Sequence, residues 1–276
     1  MDFKNELGKR LLFFDGAMGT MLQERGLNHG EAPEGWNFTH PELIESIHRM
    51  YLDAGCNIIK TNTFGANGLK VSDVSQTVTE AVRIAKKASA GWEALVALDI
   101  GPTGRLLEPM GDLSFEAAYG LFREMAIAGE AAGADLALIE TMSDTYEIKA
   151  AVLAVKENTS LPVVVTMIFN ESGRLLTGAT PTAAAAMLEG LGVSALGLNC
   201  GMGPKQMIPL LEEFTAFCSI PIAVNPNAGL PRFENGKTYF DITPEEFALD
   251  MEVIARMGAQ LIGGCCGTTP AHLAAM

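Results

Sequence analysis

Short apolar runs alternate with amphipathic helical segments along the chain, and this alternation most constrains what the chain can fold into. Polar side chains follow each run. Runs of this kind are typical of parallel strands that are covered on both faces. The sequence holds eight of them, at residues 11–14, 58–59, 95–98, 136–139, 163–165, 195–198, 220–224 and 261–262.

Eight strand–helix units predict a closed (β/α)8 barrel, the TIM barrel, as one α/β domain over residues 1–276. An open, doubly wound sheet is the alternative. No Gly-x-Gly-x-x-Gly pattern follows the first predicted strand, and polar residues concentrate after the strands, which both favour the barrel. The last helix is expected after Thr269-Pro270 and is shortened, because the chain stops at Met276. We therefore expect a fragment of a longer chain, or one component of a multi-protein system.

One helix boundary carries a specific capping signal. Thr39 and Glu42 are three residues apart, the spacing of a capping box. They predict a helix that runs to Ala54 and is closed by Gly55.

In a barrel, residues that directly follow the strands meet at one end, which is the catalytic face of this fold. The same geometry places Cys56 and Cys218, which precede their strands, at the opposite end. We call the residues at the carboxyl-terminal ends of the strands the rim; its candidate functional members are Asp15, Asn62, Asp99, Glu140, Thr166, Cys200, Asn227, Cys265 and Cys266.

Three of the rim residues are cysteines. Cys265 and Cys266 are adjacent and flanked by glycines, and Cys200 follows another apolar run. Three thiolates and one open position form a plausible shell for a catalytic zinc. Neighbouring residues of a regular strand point to opposite faces, so both sulfurs reach one ion only where the flexible glycines bend the backbone. Small buried hydrophobic residues, or a disulfide, remain the alternatives.

Asp15 and Glu140 follow apolar strands, where an unpaired carboxylate is costly to bury. We expect them to meet a cation or amide donors, and a substrate ammonium group would serve. Capping of the following helix is the alternative. Lys60 raises the question of a Schiff base, but it precedes the predicted strand end and the sequence identifies no partner for it.

Charge and composition exclude several classes of function. The 33 acidic and 19 basic side chains give a net charge of −14, which argues against nucleic acid or an anionic membrane as the main partner. No apolar run reaches the length of a membrane span, and the first residues lack the apolar core of a signal peptide. We therefore expect a cytoplasmic protein, whose five cysteines favour thiolates over disulfides.

Five motifs, taken in order, resemble those of the homocysteine S-methyltransferase family, and the match spans essentially the whole chain. They are Asp-Gly-Ala-Met-Gly-Thr at 15–20, Glu-Thr at 140–141, Asn-Cys-Gly at 199–201, Pro-Asn-Ala-Gly at 226–229 and Gly-Gly-Cys-Cys-Gly at 263–267. Within the family, residues 35–41 and 225–231 most resemble the N-terminal homocysteine-binding module of cobalamin-dependent methionine synthase.

The resemblance implies a zinc ion bound by Cys200, Cys265 and Cys266, with the homocysteine sulfur as fourth ligand. It further implies that the Asn227 side chain fills this fourth position when substrate is absent. Asp15 and Glu140 match the acidic residues that receive the homocysteine amino group. The N–H groups of Gly16 and Ala17 resemble those that hold its carboxylate.

The implied reaction is zinc-dependent transfer of a methyl group to homocysteine, giving methionine. The expected donor is methylcobalamin on a partner domain or protein. One alternative is a stand-alone enzyme that uses S-methylmethionine, S-adenosylmethionine or betaine. Another is a homocysteine-binding module without turnover of its own.

Overall fold

Parallel strands form the centre of the computed structural model, which describes residues 1–28, 30–234 and 237–276. The strands are β1 (Leu12–Phe13), β2 (Ile58–Lys60), β3 (Leu95–Ile100), β4 (Leu136–Met142), β5 (Val163–Met167), β6 (Ala195–Asn199), β7 (Ile222–Asn225), β8 (Arg232–Glu234), β9 (Lys237–Tyr239) and β10 (Ala259–Ile262). Eight of them form one sheet in the order β1-β10-β7-β6-β5-β4-β3-β2. Every pairing within this sheet is parallel.

Contacts between β1 and β2 close the sheet into a barrel. The Asp15 N–H donates to the Ile58 carbonyl at 2.9 Å, and the Asn57 N–H donates to the Phe13 carbonyl at 3.0 Å. A parallel bridge joins Phe14 to Ile58 in the same place. The predicted (β/α)8 barrel is therefore confirmed, and the open sheet is excluded.

Helices surround the barrel and follow its strands. They are α1 (Phe3–Glu6), α2 (Met18–Gln23), α3 (Trp36–Thr39), α4 (Pro41–Asp53), α5 (Val74–Ser89), α6 (Phe115–Ala131), α7 (Thr145–Asn158), α8 (Pro181–Gly190), α9 (Pro204–Phe217), α10 (Pro244–Arg256) and α11 (Pro270–Ala275), with a 3-10 turn at Pro33–Gly35. Side chains of Asp73, Ser114, Asp144, Thr180 and Thr243 accept backbone N–H groups at the starts of five of them. The short last helix begins at Pro270, as predicted.

The predicted capping box of α4 is wrong, although the helix itself is confirmed. His40 is the N-cap residue of α4 and makes no side-chain capping bond. Thr39 instead ends α3, and its hydroxyl donates to the Gly35 carbonyl at 3.3 Å. The antiparallel hairpin of β8 and β9 is a further element that the apolar pattern does not predict, since this segment carries no apolar run.

The amino-terminal end of the barrel is filled with apolar side chains. Phe3 of α1 packs there against inward-facing strand residues, and Asp2 caps this short helix by accepting the Asn5 N–H. The interior cluster consists of Phe3, Leu12, Phe14, Ile58, Leu95, Ala97, Leu136, Leu138, Val164, Ala195, Ala223 and Leu261. A second, larger core lies between the barrel and the helices.

No helix in the described ranges, 1–28, 30–234 and 237–276, is long and apolar enough to cross a membrane.

Candidate active site

A cavity of about 450 Å³ opens at the carboxyl-terminal end of the strands. Its wall includes backbone of residues 16–20, side chains of β2 and β4, and the three rim thiols. Rim members that line it are Lys60, Asn62, Asp99, Glu140, Cys200, Cys265 and Cys266. The volume suits a small metabolite.

Hydrogen bonds between the loops after β6, β7 and β10 bring the three thiols together. The Cys200 N–H donates to the Asn225 carbonyl at 3.1 Å, and the Cys265 N–H donates to the Pro226 carbonyl at 2.8 Å. The Sγ atoms of Cys200, Cys265 and Cys266 all lie within 4.8 Å of one another, and those of Cys200 and Cys266 are 3.9 Å apart. All three thiols are free, so the disulfide is excluded in this structure.

The thiol cluster fits a tetrahedral zinc ion. Zinc–sulfur bonds of about 2.3 Å in tetrahedral geometry separate two sulfurs by about 3.8 Å. The 3.9 Å separation of Cys200 and Cys266 is close to this value. Hydrogen bonds from Cys265 and Cys266 hold the pKa of the Cys200 thiol well below its usual range. Cys200 therefore favours the thiolate, the form that binds metal. The hydrogen bonds to Cys200 raise the pKa of Cys265 to about 12 and also raise that of Cys266.

Asp15 and Glu140 lie on either side of Lys60, and they are the partners that the sequence did not identify. Lys60 is the last residue of β2, and its Nζ is 3.7 Å from Asp15 Oδ1 and 3.7 Å from Glu140 Oε2. The Lys60 N–H also donates to Asp15 Oδ2 at 3.0 Å. Burial raises the pKa of Asp15 to about 7, against the opposing effect of Lys60. Burial likewise raises the pKa of Glu140 to about 7.

Three carboxylate oxygens around the cavity are buried without a hydrogen-bond partner among the described residues. They are Asp15 Oδ1, Asp99 Oδ1 and Glu140 Oε2. Buried polar atoms are normally hydrogen-bonded, so atoms left over at a cavity point to a missing donor. An ammonium group, with three N–H donors, suits such a set.

Asn227 lies against the cysteine pair. The N–H of the next residue, Ala228, donates to the Cys266 carbonyl at 3.0 Å, which ties the two loops together. Asn227 itself is 2% exposed, and its Oδ1 has no hydrogen-bond partner in the described part of the chain. An amide oxygen in this state is available as a ligand.

The loop after β1 supplies backbone donors to the cavity wall. Gly16 and Ala17 precede α2, and within the described residues neither N–H donates to a protein acceptor. A Cβ on Gly16 would lie 2.6 Å from Thr268 Oγ1 and 2.9 Å from the Tyr51 hydroxyl. Only glycine therefore fits this position without rearrangement.

Two further rim residues differ from each other: Asn62 has structural partners, whereas Thr166 Oγ1 has no hydrogen-bond partner among the described residues. The Asn62 amide donates to the Pro33 carbonyl at 2.8 Å and to Asn37 Oδ1 at 3.0 Å, which holds the loop before α4 over the cavity. Thr166 is buried in β5 and does not line the cavity.

Asn199 is a site residue that the sequence analysis did not single out. Its Oδ1 accepts the Thr141 N–H at 2.9 Å, and its Nδ2 lies 2.7 Å from Thr141 Oγ1 and 3.8 Å from Cys265 Sγ. Asn199 therefore ties the end of β4 to the thiol cluster. An asparagine directly before a rim cysteine was the available signal.

Comparison with known proteins finds methionine synthases and a homocysteine methyltransferase among the relatives. The chain is 35% identical to methionine synthase of Mycobacterium leprae and to that of Mycobacterium tuberculosis, over 99% of its own length. It spans about a quarter of the length of these relatives, 24% and 25%. The metallated crystal structure of the homocysteine methyltransferase MmuM from Escherichia coli superposes with a TM-score of 0.82 at 28% identity, covering 97% of this chain and 96% of that one.

The family model for homocysteine S-methyltransferase matches residues 12–276, which include every barrel strand and all three thiols. This match covers nearly the whole chain, and the chain belongs to the homocysteine S-methyltransferase family.

Proposed function

We propose that the chain transfers a methyl group to homocysteine to give methionine, at a zinc ion held by Cys200, Cys265 and Cys266. The observation that carries the proposal is the cluster of three free thiols on the wall of the rim cavity, with Sγ atoms within 4.8 Å of one another. Relatives that are named methionine synthase or homocysteine methyltransferase support the acceptor.

Zinc bound there would keep the acceptor sulfur as a thiolate near neutral pH, although a free thiol has a pKa of about 8.5. The chain's own residues position the rest of the acceptor. The unpartnered oxygens of Asp15, Glu140 and Asp99 accept from its ammonium group. The N–H groups of Gly16 and Ala17 donate to its carboxylate. Asn227 Oδ1, which has no hydrogen-bond partner among the described residues, would serve as the fourth ligand when no acceptor is bound.

The walls of the cavity exclude water and fix the direction of the sulfur toward the open end. A methyl donor approaches from this side, and the thiolate displaces the leaving group in line without a covalent protein intermediate. Holding the reacting atoms in near-attack geometry supplies much of the rate.

We propose methylcobalamin, carried on a partner domain or protein in the cytoplasm, as the donor. The support is the 35% identity to two methionine synthases of which the chain spans only a quarter. A stand-alone enzyme that uses S-methylmethionine, S-adenosylmethionine or betaine is the second candidate. The nearly full-length superposition on MmuM favours this second candidate.

Assay of the zinc-loaded chain with homocysteine and each donor in turn distinguishes the candidates. The proposal expects methionine from methylcobalamin and none from the sulfonium or betaine donors. Turnover with a sulfonium donor alone would establish the second candidate. Homocysteine binding without turnover on any donor would leave a homocysteine-binding module.

A further inference from the structure

Lys60 places a protein ammonium group inside the proposed acceptor pocket. The residue is 6% exposed and lines the cavity at the end of β2. Its Nζ lies 3.7 Å from Asp15 Oδ1, 3.7 Å from Glu140 Oε2 and 3.4 Å from the Gly264 carbonyl. These are the same two carboxylate oxygens that have no hydrogen-bond partner in the described residues.

The two ion pairs are too long to be hydrogen bonds, so the oxygens can still accept from a ligand. Any ligand ammonium group bound there nevertheless shares both acceptors with Lys60. Two like charges in a buried pocket repel each other more strongly than in water. The Lys60 ammonium group is buried and donates to the Gly264 carbonyl at 3.4 Å, which holds it in the pocket.

We propose that Lys60 is a specificity-determining residue that reduces the contribution of an acceptor's α-ammonium group, so that the site also takes ω-mercaptocarboxylates. The inference rests on the proposed function, since it assumes that thiols bind at the rim cysteines. Lys60 already supplies one positive charge to Asp15 and Glu140. A thiol without an amino group therefore leaves one of these two carboxylates uncompensated instead of both. This lowers the usual penalty against an analogue that lacks a polar group.

The test compares homocysteine with 4-mercaptobutyrate, which differs from it only by the amino group. Calorimetric titration of the zinc-loaded full chain gives both dissociation constants. The expected ratio for the wild-type protein is below about fivefold, because the ammonium group adds little beside Lys60. A wild-type ratio above fivefold overturns the proposal, and this arm does not depend on any variant folding.

Lys60→Met tests the assignment directly. Removing the cation leaves the ligand ammonium group as the sole partner of both carboxylates, so the ratio should rise at least tenfold. Lys60→Arg keeps the charge and should keep the low ratio. Lys70→Met is the matched control, since Lys70 lines the same cavity but donates to the Pro102 carbonyl, at 3.2 Å.

A ratio in Lys60→Met within threefold of the wild-type ratio overturns the proposal. An equal loss of affinity for homocysteine and 4-mercaptobutyrate also overturns the proposal, because it would show that Lys60 binds the carboxylate group that both thiols carry. If neither thiol binds the wild-type chain, the proposed function fails as well. If both bind with widely different affinities, only the role of Lys60 fails.

Discussion

The thiols at the two ends of the barrel share one chemistry but have different surroundings. Cys200, Cys265 and Cys266 follow their strands and meet at the cavity, whereas Cys56 and Cys218 precede theirs and have no thiol neighbour in the described residues. Hydrogen bonding within the rim cluster lowers the pKa of Cys200 and raises those of Cys265 and Cys266, while burial raises that of Cys56 and raises that of Cys218 to about 11. Position along the strand therefore decides whether a cysteine meets other thiols with which it could bind a metal ion.

Buried polar groups show the same contrast. Asp15 and Glu140 form ion pairs with Lys60 at the rim. His48 of α4 is buried with both ring nitrogens unpartnered in the described part of the chain. The unpartnered carboxylate oxygens at the rim are therefore available to a ligand, whereas the buried imidazole of His48 affects stability.

The largest effect should come from removing a rim thiol. Cys266→Ser leaves two thiolates, too few to hold zinc against solvent, so zinc content should fall from about one per chain to less than about a tenth. Cys56→Ser, the matched control at the other end, should keep its zinc. Metal analysis of the purified variants checks this, and wild-type zinc content in Cys266→Ser would refute the ligand assignment.

A substitution in the apolar cluster at the amino-terminal end of the barrel should lower stability without changing metal binding at the rim. Phe3→Ala removes a nearly fully buried ring from the interior cluster, so the free energy of unfolding should fall by about 3–5 kcal/mol. Zinc content should not change. Phe217→Ala, at a side chain that is 63% exposed, is the control for denaturant titrations. Loss of zinc from Phe3→Ala would show that the two ends are coupled.

Acid should destabilise the folded protein through His48 of α4. Burial lowers the pKa of this histidine from 6.5 to about 4. Above pH 6.5 the His48 imidazole is neutral in both the folded and the unfolded protein. As the pH falls toward 4, the imidazole gains a proton only in the unfolded protein, so the free energy of unfolding decreases. Between pH 7.5 and 5 this loss should be about 2 kcal/mol. His48→Met should lack it, and the difference between the two pH profiles removes the contribution of the carboxylates. Parallel profiles would contradict the assignment.

The smallest effect should come from Glu140→Gln, which keeps the shape but removes one charge-assisted contact to the acceptor amine. Homocysteine affinity should fall by about 1 kcal/mol or less, below the usual range for such bonds, because Lys60 already shares this carboxylate. Zinc content should stay constant. Binding of 3-mercaptopropionate, which has no amino group, serves as the reference in a double-mutant-style cycle. If homocysteine and 3-mercaptopropionate both bind more weakly by the same factor, Glu140 stabilises the structure of the rim and does not bind the amine.

The barrel and most of the rim could be predicted because their signals are local. A run such as 136–139 followed by Glu140 identifies both the strand and the end at which its polar residue lies. The partner of Lys60 could not be predicted, because it depends on how β1, β2 and β4 come together across the barrel. The predicted capping box of α4 was wrong for a related reason, because Thr39 is the last residue of α3 and therefore cannot be the N-cap of α4.

The backbone at the rim carries a trade-off between stability and function. Cys200 and Thr141 have φ angles of 60° and 61°, a left-handed conformation that costs a residue with a side chain about 1 kcal/mol or more relative to glycine. Glycine at position 200 would relax the chain but remove the thiol. Mutational drift toward a more stable protein would therefore remove a member of the thiol cluster, and only selection for the thiol would keep cysteine in place.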